Sequence, residues 1–166
     1  MLSQPLPTTI IHATALALAI DPDGPLAGAL LLGPSGAGKS SLALAAIEGC
    51  PFGRTGLIAD DQVMVGPGGA ASAPKALQGL IEVRGFGPAR VRMAGQTAIV
   101  AAFDLGGRIE RTPAPQRREI APGLCVLAYP FLWTGAEAAA AHRLRVIVRQ
   151  VLCGQTGEEP QDAPPQ

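Results

Sequence analysis

The residues able to do chemistry crowd into the first half of the chain. Residues 33–41 read Gly-Pro-Ser-Gly-Ala-Gly-Lys-Ser-Ser and fit the phosphate-loop pattern G-x-x-x-x-G-K-[ST]. Gly33, Gly36 and Gly38 allow successive backbone N–H groups to converge on an anion, with Pro34, Ser35 and Ala37 between them. Lys39 supplies a cation for the outer phosphates of a nucleotide such as ATP. The hydroxyl of Ser40 supplies an oxygen for Mg2+, and Ser41 closes the loop. Asp60 and Asp61 follow at the end of an apolar stretch. A carboxylate beside a phosphate loop suits Mg2+-dependent phosphoryl transfer, because the metal takes oxygen ligands and few protein contacts. Neighbouring strand residues point to opposite faces, so one aspartate addresses the phosphates unless the strand bulges. The other is left for a second role, or both simply cap a turn. Glu82 and Arg84 share one strand face and either pair with each other or bind metal and phosphate. His12, on a strand, reads either as a structural hydrogen-bonding residue or as part of the site.

These groups must be held by the elements around them. Residues 9–20 alternate with strand period, and the run DPDGP that follows is a dense turn signal. Residues 27–33 form a short apolar run stopped by Gly and Pro, the pattern of a buried strand entering the loop. The segment SSLALAAIEGC predicts a helix ended by Gly49 and Pro51. Further strands are expected at 56–65, running through both aspartates, and at 80–85, 97–105 and 124–130. Residues 66–74 and 111–119 read as loops, the second basic and broken by proline. A last helix is expected over 136–152, with Leu144, Ile147, Val148 and Val151 in one stripe. Residues 1–153 then make one catalytic domain, and 154–166 a disordered tail. Many strands with two helices is a strand-rich α/β pattern, unlike the regular alternation of a doubly wound sheet.

The 166 residues suggest one domain, and 48% hydrophobic with 16% charged content describes a globular chain rather than a disordered one. The net charge of zero does not point to nucleic acid or to an anionic membrane as partner. Cys50, Cys125 and Cys153 lack C-x-x-C spacing, so reduced, buried thiols are expected. The N-terminus has no basic segment ahead of its apolar run, and no stretch is long and apolar enough to span a bilayer. A cytoplasmic location is therefore expected.

Taken in order, His12-Ala13, GPSGAGKSS, LIADD and LIEVRGFG resemble the HPr kinase/phosphorylase family, over roughly residues 10 to 112. These bacterial enzymes phosphorylate a serine of the carrier protein HPr, or a relative of it, and remove that phosphate again. The resemblance implies a single-domain, strand-rich P-loop kinase fold of the HPr kinase and PEP carboxykinase type. It implies ATP, inorganic phosphate or pyrophosphate in the loop, and Mg2+ held by Ser40 and Glu82. Asp61 corresponds to the catalytic carboxylate, Asp60 supports it or contacts the metal, and His12 and Lys39 act in both reactions. RIERTP, residues 108–113, is similar to a later D-R-[LM] element of the family, which makes Arg111 the corresponding catalytic arginine. An HPr-like phosphocarrier protein is the implied partner, and a homo-oligomer, a hexamer in the family, the implied assembly. Ser41 stands where that family carries an acidic residue, and FLWTG occupies the region of its P-G-R-N element. Two other classes fit the loop: an ATP-sensing module without transfer, and a small-molecule kinase using RTPAPQRRE as its lid.

Overall fold

The computed structural model describes residues 7–106, 114–132 and 137–158. In chain order the elements are β1 (Thr9–His12), β2 (Thr14–Leu18), β3 (Ala27–Leu32), α1 (Lys39–Glu48), β4 (Gly56–Ala59) and β5 (Gln62–Val65). Then come β6 (Ala70–Ser72), β7 (Leu80–Val83), β8 (Gly87–Arg90), β9 (Thr97–Asp104), β10 (Gln116–Ala121), β11 (Leu124–Pro130) and α2 (Glu137–Leu152). The main sheet runs β1-β5-β6-β9-β3-β2-β4, with β11 also on β9 and β10 on β11, while β7 and β8 pair only with each other.

The centre of this sheet explains where a site can form. β3, β9 and β11 are parallel and end level with one another, with Leu32 and Pro130 both opposite Asp104. β2 runs antiparallel to β3 and begins at that same edge, Thr14 opposite Leu31. β4 runs antiparallel to β2 and finishes there, Ala59 opposite Ala15. The phosphate loop, the start of β2 and the aspartates after β4 therefore meet at one end of the sheet, the usual place for a ligand in such folds.

Both faces of the sheet are covered. Leu16, Leu18, Ala29, Leu31 and Phe103 pack against Leu42 and Ile47 of α1 and Leu144 and Val148 of α2. Ala15, Ala17, Leu30 and Ala102 face the other way, onto Val63, Val65 and Ala71 of β5 and β6 and onto Ile120 and Val126. Burial on both sides explains why β3 is an unbroken apolar run in sequence. Gly28 is needed where β3 passes the bulge of β9: a Cβ there would lie 2.2 Å from the carbonyl oxygen of Ala98. Gly28→Val is expected to cost at least about 2–3 kcal/mol by overpacking against backbone. Urea denaturation tests this, and an unchanged midpoint would show that the two strands part freely.

Several expectations are corrected. The strand expected over 9–20 is two strands divided at Ala13, which belong to different parts of the sheet. The strand expected over 56–65 breaks at the two aspartates. The expected loop 66–74 contains β6, and the expected loop 111–119 contains the start of β10, an edge strand whose exposed Arg117, Arg118 and Glu119 give it a loop's composition. β8 is an unexpected strand, because Gly87 and Pro88 open it. All three cysteines are free, but Cys125 and Cys153 are exposed and Cys50 is half-buried, not core residues. After α2 the chain lies along the β10–β11 hairpin, where the Tyr129 hydroxyl donates to the Thr156 carbonyl at 2.6 Å and Arg117 pairs with Glu158 at 3.1 Å. No described helix is long and apolar enough to cross a membrane.

Candidate active site

The loop after β3 is shaped by its glycines. Gly33, Gly36 and Gly38 have φ of 144°, 82° and 93°, values that side chains disfavour. Gly38 caps α1 without any side-chain acceptor, and the first turn of the helix carries no acidic residue. The first N–H groups of α1 and the positive end of its dipole are thus left to face an anion. Lys39 is 7% exposed, and its ammonium donates to the carbonyls of Gly33 at 2.8 Å and Pro34 at 3.0 Å. The loop is braced from behind by the turn after β9. Asp104 accepts a hydrogen bond from the Gly106 N–H at 2.9 Å and pairs with Arg118 at 2.9 Å, and Gly106 lies against Pro34.

The two aspartates separate completely. Asp60, at the end of β4, accepts hydrogen bonds from the Thr14 hydroxyl at 2.7 Å, the Ser40 hydroxyl at 2.9 and 3.0 Å, and the Glu82 N–H at 3.1 Å. One carboxylate so fastens β2, α1 and β7 together. Because Ser40 donates its proton to Asp60, its oxygen keeps lone pairs for a cation. Asp61 then turns away. Its φ is 65°, and the Gln62 N–H closes a γ-turn onto the Asp60 carbonyl at 2.8 Å. This conformation costs roughly 1–3 kcal/mol and aims the side chain at His12, whose Nδ1 lies 2.9 Å from its carboxylate. Both side chains are more than half exposed, at 54% and 68%.

These groups line one cavity of about 410 Å³. The loop contributes Ser35, Gly36, Gly38, Lys39, Ser40 and Ser41, the strands β1 and β2 His12 and Thr14, the turn between β4 and β5 Asp60 and Asp61, and the end of β7 Glu82 and Arg84. Gly33, Pro34 and Ala37 form the loop without lining the cavity, and Arg111 lies outside the described residues. Thr14 escaped sequence reasoning, its one signal being a hydroxyl at the start of an otherwise apolar strand. Asp104 escaped it too, as the carboxylate that ends the buried strand next to the loop. Among the described residues no three His, Cys, Asp or Glu side chains cage a metal by themselves. The oxygens of Ser40, Asp60 and Glu82 still suit Mg2+, a hard cation that takes one or two carboxylates and completes its shell with phosphate and water. The cavity therefore combines an anion cradle, oxygens for a cation, and a carboxylate–imidazole pair for a proton.

No protein-family model matches the chain, and no curated protein does. Among solved structures it is similar to the Hpr(Ser) kinase/phosphatase from Coxiella burnetii, with a TM-score of 0.67 over 90% of this chain and 93% of that one, at 21% identity. The fold is accordingly the strand-rich α/β fold of that kinase/phosphatase.

Proposed function

We propose that this chain is an ATP- and Mg2+-dependent kinase acting on a serine of an HPr-like phosphocarrier protein, with residues 1–153 as its catalytic domain. The observation that carries this reading is the separation of the aspartates, Asp60 tied to Ser40 and Asp61 set against His12 in the same cavity. The likeness of the whole fold to an Hpr(Ser) kinase/phosphatase supports it.

The loop N–H groups and Lys39 hold the phosphates, with Ser41 at the loop's end. Ser40, Asp60 and Glu82 would hold Mg2+, which when bound neutralises charge gathering on the phosphoryl oxygens. Asp61 accepts the serine proton as the serine oxygen bonds to phosphorus and the bond from phosphorus to ADP breaks. His12 keeps Asp61 oriented by donating from Nδ1. Arg111 is assigned to the transferring phosphoryl group by resemblance. With inorganic phosphate in the loop, its oxygen bonds to the phosphorus of the phosphoserine as the bond from phosphorus to the serine oxygen breaks; Asp61 passes the proton of the attacking phosphate to the serine oxygen, and pyrophosphate is the product. A cytoplasmic homo-oligomer, hexameric by resemblance, completes the proposal.

The protein incubated with γ-labelled ATP and an HPr-type carrier should yield label on a carrier serine. Label on a metabolite with the carrier untouched would identify a small-molecule kinase, and tight ATP binding without label a sensor. The lid that a small-molecule kinase needs is not free in its second half, since that segment is strand β10, fixed to β11 and to Asp104 through Arg118.

A further inference from the structure

We propose that the β7–β8 hairpin is the docking arm for the protein acceptor, with Phe86 as its anchor; this rests on the protein-kinase reading above. The hairpin is rooted in the core by Ile81, 1% exposed, and has no strand pairing with the main sheet. Its end is a tight turn in which the Phe86 N–H donates to the Val83 carbonyl at 2.9 Å and Gly85 takes a φ of 82°. That turn sets two side chains outward. Arg84 lines the catalytic cavity, and Phe86, beside it, is 78% exposed.

The exposure of Phe86 is out of keeping with the rest of the molecule. Among the described phenylalanines and tyrosines, Phe103 and Phe131 are buried and Phe52 and Tyr129 half-buried, so Phe86 alone stands in water. Nothing in the core uses it, and a ring of that size is a natural interface anchor. A second exposed apolar group lies on the strand that carries His12: Ile10, 61% exposed, two residues before it on the same face of β1. Arg84, in the hairpin's turn, and Arg90, at its base opposite Leu80, make no ion pair or side-chain hydrogen bond among the described residues. A phosphate-sized ligand inside the cavity would touch none of Ile10, Phe86 or Arg90. A protein segment delivering its serine to Asp61 can also meet the turn that holds Arg84 at the cavity and Phe86 in water. The occupant is therefore the serine-bearing segment of the acceptor, with an apolar side chain for Phe86 and a carboxylate for the unpaired guanidinium of Arg84.

Steady-state kinetics of F86S and F86L with an HPr-type carrier, together with calorimetric ATP titration, test this. F86S should raise KM for the carrier about tenfold or more with kcat little changed, and leave ATP affinity within twofold. F86L should recover most of the loss. An unchanged KM in F86S, or a loss of ATP affinity alongside it, overturns the docking role while the kinase reading stands. A wild-type protein that labels no carrier overturns both.

Discussion

Asp61→Asn is expected to abolish phosphoryl transfer, with a loss of about a thousandfold or more in the single-turnover rate, while ATP affinity stays within a few fold. The substitution is unusually clean at this position. Asparagine tolerates a φ of 65° nearly as well as aspartate, so the γ-turn survives. Its amide oxygen still accepts from His12 Nδ1, now 2.9 Å from the carboxylate, so the imidazole is not released. What disappears is the capacity to take up a proton. Among the described residues Asp61 shares no hydrogen bond with Lys39 or Ser40, which explains why nucleotide binding should persist. Asp61→Gly extends the test. Glycine relieves the left-handed backbone, so this variant should be more stable by up to about 1 kcal/mol and equally inactive. Retained transfer in Asp61→Asn would remove Asp61 as the base and leave His12 as the acceptor of the proton.

The parts of this molecule legible in its sequence are those whose signal is local. The glycines and Lys39 define the loop by spacing alone. β3, β9 and β11 are apolar runs between turn residues, and both helices have clear ends. What stayed hidden depends on pairing between distant segments. Nothing in TIIHATALAL marks Ala13 as the point where β1 leaves for β5 while β2 stays beside β3, because both halves alternate alike. Thr14 reads as a strand residue until β4, running antiparallel, delivers Asp60 to its hydroxyl. β10 has the charges of a loop because one edge of it faces water. Spacing alone leaves the division of labour between Asp60 and Asp61 open while 56–65 is read as one strand, and the family resemblance alone assigns it. In the structure it follows from the positive φ of Asp61, a conformation that apolar-run spacing does not reveal.

That division leads to the second large effect. Asp60→Ala should lose activity by at least about a hundredfold and, unlike Asp61→Asn, also lose about 2–4 kcal/mol of stability. Thr14 is fully buried, and without Asp60 its hydroxyl has no described acceptor in place of the 2.7 Å bond. An orphaned buried polar group costs about 1–3 kcal/mol. The Ser40 hydroxyl and the Glu82 N–H lose the same acceptor, so α1 and β7 come untied from β2 together. On the proposed reading, activity falls because Ser40 loses the carboxylate that orients its oxygen. Asp60→Asn should rescue only in part: its amide oxygen can still accept from the Glu82 N–H and its N–H can donate to the Thr14 hydroxyl, but the negative charge beside Ser40 is gone. Measuring denaturation midpoint and transfer rate on the same preparations separates the two carboxylates. Asp60→Ala should move both and Asp61→Asn only the rate. Equal, unchanged midpoints would mean that the Asp60 hydrogen bonds do not hold the site together, and the assignment of Asp60 to structure and metal would fall with them.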